Sequence, residues 1–578
     1  MKRYTYLLCL IGVLLLIPTT PLSAQVEKEV EVSKQFVPKV ATATKPAMEP
    51  RFTDTVKIRP EIDYTIRPRA LNTQLEPRTY RPATVTYWEF NRPTPFYLKA
   101  GIGYPLNSMA DFQMAAQNPS IGYALVKVNH LGDYARVRNH AGTKPNSTRL
   151  YNRIGGAAGR YLGRHILEGE LYYENRLFHR YGATDPQDEL MVGSRVNFGE
   201  AGMRVRIGDD FNDNRKVNFN LEGYGIYFHD NSQTLSLLDA RQIDGGGAGK
   251  IGFRWGEHRI GIALGFEGAW GAAEMSECNN LNLHGGIGYT FSHRQMDAEV
   301  GVEYHYSSIR IAGVQEGFHY PIPHIRLKFN LGNGAFVPFV GFDGEVERND
   351  FRSLMHENPY LITGLALPKN TTHYNLRFGT EGEFASRFSY RIFAELSWIE
   401  NARYWYGINF PQAAEPTHNF LQFGIEQARR NTATLGLDLK WRPVADLLIQ
   451  GSLQGYLHDF RASLYDQKLG GGLPALRSSL KIEYTHRKFS LVLSGEQTST
   501  RYWSNLRHYT DTKGASRVEM LTYKVPITVD LNFYADYHLN SSLTLFAEGR
   551  NLLNQRLHDW ANYPLTGIAC TAGIKLNF

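Results

Sequence analysis

Strict alternation of apolar and polar residues runs through most of the chain beyond Phe96. In RIGIALGFEGAW, Ile260, Ile262, Leu264, Phe266 and Trp270 fall on one face, with Gly261, Ala263, Gly265 and Glu267 on the other, the period-two signature of a strand. LLIQGSLQGYLH sets Ile449, Leu453 and Leu457 against Gln450, Ser452, Gln454, Tyr456 and His458. LRSSLKIEY opposes Leu480, Ile482 and Tyr484 to Ser479, Lys481 and Glu483, and ITVDLNFYADYHL opposes Ile527, Val529, Leu531 and Phe533 to Thr528, Asp530, Asn532 and Tyr534. A soluble sandwich also alternates, so length and connections must discriminate. These strands run about 10 to 15 residues against a usual about 5 to 6, which suits tilted strands crossing a bilayer. Every second connection reads as a tight turn, as in QNPS, NDNR, WGEH, LGNG, RPVAD, THRK and HLNSS. The alternate ones read as long polar and aromatic loops: Asn231 to Asp244, Phe351 to Asn370, Tyr404 to His418, Arg461 to Gly472 and Ser504 to Arg517. That asymmetry is the pattern of an outer-membrane barrel, with turns in the periplasm and loops outside. Lipid tolerates no unpaired sheet edge, so the sheet must close on itself. The expected fold is all-β, a closed antiparallel transmembrane β-barrel of about 22 strands with a short, largely irregular N-terminal arm.

The residues ahead of the alternation have a different character. Lys2 and Arg3 precede the apolar run LLCLIGVLLLI from Leu7 to Ile17, then come Pro18, Pro21 and the small-residue stretch LSAQ. Charged region, hydrophobic region and cleavage site in that order predict a signal peptide over 1–24, cut after Ala24. Cys9 lies before most of the hydrophobic run, so no lipid-anchoring cysteine is expected. Cys278 and Cys570 are then too few for a disulfide scaffold and lack metal-ligand spacing. No later segment approaches the roughly 18 consecutive apolar residues of a membrane-spanning helix. From Gln25 to Pro95 prolines recur beside arginines, as in IRPEIDY, TIRPRAL, LEPRTY and YRPATV. Such a segment builds no core of its own and is expected to be an arm, either periplasmic or inserted in the lumen. The domain reading is signal peptide 1–24, Pro/Arg-rich arm 25–95 and outer-membrane barrel 96–578.

The chain stops on TAGIKLNF. Thr571 and Gly573 take the polar register, and Ile574, Leu576 and Phe578 the apolar one. A last strand of this form resembles the signal read by the outer-membrane insertion machinery, with Thr571, Gly573, Leu576 and Phe578 as its elements. The longer run LTLFAEGRNLLNQRLHDWANYPLTGIACTAGIKLNF resembles the last two strands of TonB-dependent receptors, where an N-L-x-N element follows an F-x-E-x-x strand. The matching positions are Phe546, Glu548, Asn551, Leu552, Asn554 and Phe578. The resemblance implies a 22-stranded barrel, in agreement with the count. Those receptors place a folded plug before the barrel, whereas about 70 residues without a globular pattern stand there in this chain. EKEVEVSK, from Glu27 to Lys34, has the composition of a TonB box, but short acidic and valine-rich runs are common, so contact with TonB is not assigned. A barrel of this size is normally plugged, which leaves the arm, inward-folded loops or a second polypeptide to fill the lumen.

Composition refines the picture. Aromatic residues reach 13%, with 34 tyrosines and 54 glycines, which favours strands. The net charge of +7 is dispersed over polar faces and loops with no clustered patch, which argues against nucleic acid and for outer-membrane lipids and lipopolysaccharide as partners. The 19 histidines are ordered by no catalytic motif, so no enzyme activity, cofactor or metal is expected. His179, Arg180 and Asp185 in FHRYGATD begin a loop and either bind an anion or form its polar base. Lys481, Glu483, Asp438, Lys440, Arg326 and Lys328 are expected to form ion-pair ladders in the lumen. NARYWYG and TRYWSN offer Tyr404, Trp405, Tyr502 and Trp503 as ligand contacts of external loops or as part of the interfacial aromatic girdle.

Two functions from different classes follow. One is transport across the outer membrane by a plug-less receptor-like barrel, taking up a solute alone or with a surface lipoprotein. The other is a barrel subunit that scaffolds a multiprotein envelope machine for outer-membrane protein assembly or export.

Overall fold

The computed structural model describes residues 95–578 except 119, 210–215, 234–239, 274, 277, 312, 332–333, 363–367, 411–416 and 511–512. The expected signal peptide, the TonB-box-like stretch and the arm up to residue 94 lie outside the described residues.

Twenty-two antiparallel strands join into one closed sheet. Neighbours along the barrel pair in chain order, except where inserted strand pairs are passed over: Ser463–Leu464 with Gln467–Lys468, His558–Trp560 with Tyr563–Pro564, and a longer hairpin, Arg501–Thr510 and Ser516–Val525, between Phe489–Thr498 and Thr528–His538. The first strand, Phe96–Tyr104, pairs with the last, Ala569–Asn577. At the seam the Phe96 amide donates to the Phe578 carbonyl at 3.2 Å and the Phe578 amide to the Phe96 carbonyl at 3.0 Å. With every barrel strand paired on both sides, the backbone polar groups are satisfied without water, which is what a spanning sheet requires.

The two faces divide as the alternation predicts. Leu264, Leu457 and Leu480 are 66%, 52% and 50% exposed on the outside of the wall, and Ile262, Phe266, Leu453, Phe533 and Ile574 stand out with them. So continuous an apolar surface belongs against lipid. The inner face carries charge pairs. Arg326 lies directly opposite Glu299 at 3.2 Å. Lys328 and Arg391 share Glu381 at 2.6 and 3.1 Å, Lys481 contacts Glu483, and Ser452 donates to Asp438 at 2.7 Å. Ladders of this kind keep a polar lumen wall electrically balanced.

Connections differ from expectation in five places. The strands flanking Pro105–Leu106 and those flanking residues 312–313 are joined tightly although they meet at the long-loop end. Ala240–Trp255 already covers part of the expected loop 231–244, and Phe388–Ile408 covers the first part of 404–418. The expected loop 504–517 is the tip of the inserted hairpin. Strands Phe388–Ile408 and Gln422–Val444 are 21 and 23 residues long, about twice what a bilayer crossing needs. Their upper halves rise as a two-stranded ribbon beyond the membrane band, covered on both faces, so Tyr404 to Ile408 are all buried and show no alternation.

Candidate functional site

The long connections turn in over one end of the barrel and meet there. Tyr181 from 180–194, Phe351, Leu354, Met355, Tyr360 and Leu361 from 348–370, Trp503 and Val525 from the hairpin, and Ala561 and Tyr563 from 551–568 share one buried core with Trp405 and Phe423 of the ribbon and with Val196, Phe198 and Phe228 of the wall. Tyr360 and Tyr563 stack at 3.7 Å between ring centroids, and Tyr181 meets Tyr563 edge-on at 5.1 Å. Trp560 lies 5.3 Å from Trp405, 5.6 Å from Trp503 and 5.5 Å from Phe423. Rings of this size dominate burial energetics, and buried phenols need acceptors. Tyr181 donates to the Pro564 carbonyl at 3.0 Å and Tyr563 to the Leu421 carbonyl at 2.7 Å.

Backbone pairing extends the cap. Tyr406 to Ile408 of the ribbon run parallel to Ser504 to Leu506 of the hairpin, and Leu361 bridges Phe423 in parallel. The ribbon reaches the hairpin because of a bulge. Between Ile399 and Ala402 its register shifts, and Asn401 takes a left-handed φ of 54°, a conformation asparagine tolerates better than most residues. Gln427 and Thr371 both donate to the Asn401 carbonyl, at 3.0 and 2.9 Å, which fixes the bend.

The centre of the cap is a short helix, Phe351–Glu357. Its local sequence dictates it. Asp350 accepts from the Ser353 amide at 2.8 Å while Ser353 Oγ accepts from the Asp350 amide at 3.1 Å, a reciprocal capping box. Asn358 and Pro359 end it. Phe351, Leu354 and Met355, spaced i, i+3, i+4, are its buried face, and Phe351 meets Phe228 edge-on at 5.9 Å.

A belt of buried charge holds the helix to the wall. Arg352 donates to Asp244 and, at 3.1 Å, to Glu200, which also contacts His356 Nε2 at 2.9 Å. Arg348 donates to Asp350 at 2.8 Å and lies 3.6 Å from Asp244 and 3.7 Å from Glu267. Arg403 of the ribbon joins Glu347 at 2.7 Å and Glu357 at 2.8 Å, and Trp405 Nε1 donates to Glu357 at 2.8 Å. Burial opposes ionisation of Asp350, but the Arg348 guanidinium, Gln242 and the Ser353 amide hold its carboxyl below the ordinary value. Burial instead pushes Glu357 up, against the pull of Arg403 and Trp405.

Glu174, Glu200 and His356 place three ligand-type atoms within 4.8 Å of one another, the arrangement closest to a metal cage in this belt. Its carboxylates are already engaged. Glu174 accepts from Arg176 at 2.8 Å and Tyr151 at 3.2 Å and lies 3.6 Å from Arg153. Glu200 accepts from Tyr172 at 3.0 Å as well as from Arg352. Three guanidinium groups around two carboxylates leave no excess negative charge for a cation, and the cluster works as a node of the belt.

The residues singled out from sequence fall into three groups. Tyr404, Trp405 and Trp503 are buried in the cap, and Tyr502 is 51% exposed; the first two belong to the ribbon and the last two to the hairpin rather than to open loops. Arg180 is buried, donating to the Gln233 carbonyl at 2.6 Å and Ser194 at 3.2 Å, and burial lowers its pKa. His179 contacts the Thr148 carbonyl at 2.8 Å, and the Asp185 amide donates to Asn419 at 2.8 Å, so FHRYGATD is the polar base of its loop. The third group makes the seam. Thr571 donates to Asn107 at 2.7 Å, and Phe546 packs over Gly573 and Gly101 across it, with the Lys99 ammonium 4.6 Å from its ring centre. Leu576 and Phe578 continue the last strand beside Leu98 and Phe96, and Glu548 sits opposite Tyr534 and Thr571. Asn551 and Asn554 both take a left-handed φ, 49° and 50°. Asn551 Oδ1 accepts from the Gln555 amide at 2.9 Å, Asn554 Oδ1 from the Ile568 amide at 3.0 Å, and the Leu552 amide donates to the Leu531 carbonyl at 2.8 Å. The N-L-x-N element is thus the turn that leads the chain off the barrel wall into 551–568.

No protein-family model and no curated protein matches the sequence. Solved structures do match the fold. The chain is similar to the FrpB iron transporter from Neisseria meningitidis (F3-3 variant), with TM-score 0.65 and 11% identity over 84% of this chain and 81% of that one. It is also similar to the copper transporter OprC, with TM-score 0.62 and 12% identity over 84% and 80%. The siderophore receptor PirA from Acinetobacter baumannii aligns at TM-score 0.61 and 8% identity over 84% and 80%. With its closed wall of 22 antiparallel strands, the chain has the outer-membrane barrel fold of TonB-dependent receptors.

Proposed function

We propose that the chain serves transport across the outer membrane as a receptor-like barrel gated by its own long loops. The observation that carries this reading is the cap, a packed core over the end of a wide barrel, fastened to the wall by a belt of ion pairs as well as by apolar contact with Val196, Phe198 and Phe228. Ion pairs can be exchanged for water or a ligand with little rearrangement, which makes such a lid openable. The long-loop end is read as the extracellular one, with outer-membrane lipids and lipopolysaccharide around the barrel, and a surface lipoprotein is the partner expected to engage the cap. The Pro/Arg-rich segment 25–95 is read as a periplasmic tether. Conductance of the purified protein in planar bilayers tests the gate. The native chain is expected to pass little current, and Arg352→Ala, which removes the guanidinium shared by Asp244 and Glu200, to raise it several-fold. Equal, low conductance of both would remove the gating role.

The same seal suits a scaffold subunit of an envelope machine, since a stopped barrel offers a fixed platform. Purification from native membranes in mild detergent separates the two: recovery as a monomer or with one lipoprotein supports transport, and recovery in a large stoichiometric assembly supports the scaffold.

A further inference from the structure

The lipid face of the wall is not smooth. Strands Arg149–Leu162, His165–His179 and Arg195–Gly208 are neighbours, and their outward residues stand in rows. Gly156, Leu171 and Met203 form one row, and Ile154, Tyr173 and Ala201 the next. Gly156 and Ala201 put almost no side chain between these large neighbours. The result is an apolar groove of about 550 Å3, floored by the two small residues and walled by Ile154, Leu171, Tyr173 and Met203, within the size range of ligand sites, about 300–1,000 Å3. The backbone does not demand the gap. A Cβ on Gly156 would meet nothing nearer than the Leu125 carbonyl oxygen at 3.5 Å.

The next outward row, toward the long-loop end, is polar. His130, Asn152 and Asn175 are directly paired across their strands. His130 Nδ1 meets Asn152 Oδ1 at 2.7 Å and its Nε2 the Ser108 hydroxyl at 2.8 Å, while Asn175 Nδ2 donates to Asn197 Oδ1 at 3.0 Å. Among the described residues Asn152 Nδ2 and Asn175 Oδ1 have no partner, so one donor and one acceptor stay open at the head of the groove. The Tyr173 hydroxyl reaches the same height, 3.1 Å from where a Cβ on Gly199 would lie, and Gly199 pairs with Asn175. Asn152 lies about one bilayer crossing, ~9–11 residues, above the short turn after Leu162, so the row marks the edge of the hydrocarbon band. Below it, acyl chains are what the bilayer offers to fill the groove. A void there forfeits the dispersion contacts of its lining, and a water would need about two to four polar partners.

We propose that this groove is a seat for one lipopolysaccharide molecule of the outer leaflet, with an acyl chain lying over Gly156 and Ala201 and the polar groups at the root of the chain bonded to Asn152, Asn175 and Tyr173. The polar row offers amides, an imidazole and hydroxyls but no carboxylate, ammonium or guanidinium, which suits the ester, amide and hydroxyl groups of the linkage region rather than the lipid's phosphates. Continuity with the lipid-facing wall favours an acyl chain as the occupant. The assignment to the outer leaflet rests on reading the long-loop end as extracellular; the groove itself is independent of what the barrel transports.

The test is lipid analysis of the full-length protein extracted from native outer membranes and washed in mild detergent. About one lipopolysaccharide per chain is expected to stay bound, identified by its amide-linked hydroxy fatty acids. Retention should fall several-fold in Gly156→Leu, which fills the groove, and in the Asn152→Leu, Asn175→Leu double variant, which removes the polar row. Gly451→Leu, on the lipid face of Leu447–Phe460, where a Cβ would lie 3.9 Å from its nearest neighbour, should retain lipid as the native chain does. Heat-modifiable migration on gels verifies folding of each variant, and Ala201→Leu takes the place of Gly156→Leu should that one fail to fold. Protease cleavage of the hairpin within 501–525 on intact cells checks the orientation by itself, so a wrongly assigned end and an empty groove give different results. No lipopolysaccharide on the native chain, phospholipid alone in its place, or equal retention by the native and the folded groove-filling chains would overturn the seat.

Discussion

At the scale of single residues, two positions decide whether neighbouring elements can meet at all. A Cβ on Gly573 would fall 1.9 Å from the Ala100 carbonyl oxygen, 2.6 Å from Gly101 Cα and 2.7 Å from the Phe546 ring. Backbone sets the first two limits, so no rotamer relieves them. Gly573→Val is expected to abolish the heat-modifiable folded band, whereas Ile574→Val, on the lipid face, should leave it intact. The second position is the His140–His558 contact, faced by Tyr523, Arg556 and Arg501. Both histidines fold with their pKa values lowered, to about 4 and about 3, so between pH ~6.5 and ~4 the unfolded segments bind more protons than the folded ones. Their contribution is complete above that window and is lost as pH falls through it. Protease nicking within 134–148 and 551–568 should rise from pH 7.5 to pH 5, and the rise should shrink in the His140→Gln, His558→Gln double variant. An unchanged nicking rate across the window would show that the pair is protonated in place without loosening the cap.

At the scale of elements, legibility in the sequence followed from what each element touches. A wall strand has lipid on one side and polar lumen on the other, so its environment repeats every two residues and the sequence must repeat with it. Ribbon residues Tyr404 to Ile408 have protein on both sides and lose the pattern, which is why they read as a loop. The helix Phe351–Glu357 lies within the expected loop Phe351 to Asn370, yet its sequence carries a local signal: Asp350 and Ser353 as reciprocal caps, the i, i+3, i+4 face of Phe351, Leu354 and Met355, and the Asn358–Pro359 stop. Asp350→Ala removes the N-cap, for a loss of about 1 kcal/mol or more, and leaves Arg348 short of a buried partner. The expected outcome is exchange of the 351–357 amides with solvent far faster than that of the wall strands, measured by hydrogen exchange in detergent. Protection equal to the native chain would assign the helix's stability to Phe351, Leu354 and Met355 alone.

At the scale of the whole molecule, closure was legible and the cap was not. An apolar outward face with no tolerated edge admits only a ring. The meeting of Tyr181, Tyr360 and Tyr563, or of Arg352 with Asp244 and Glu200, depends on side chains from segments hundreds of residues apart, and a single sequence holds no record of such pairs. The inner seal therefore had three candidates, and the described residues put inward-folded loops in that place at one end. The 21- and 23-residue strands give this end a further property. They form a stiff mast rooted in the wall, bent inward at Asn401 and stayed to the hairpin by the parallel pairs from Tyr406–Ser504 to Ile408–Leu506. A sideways pull on the mast's tip must either drag the hairpin with it or shear those three pairs together. Leverage applied at one point of the mast is thereby delivered to the hairpin strand that carries Trp503, in the middle of the cap, rather than being absorbed by a single loop.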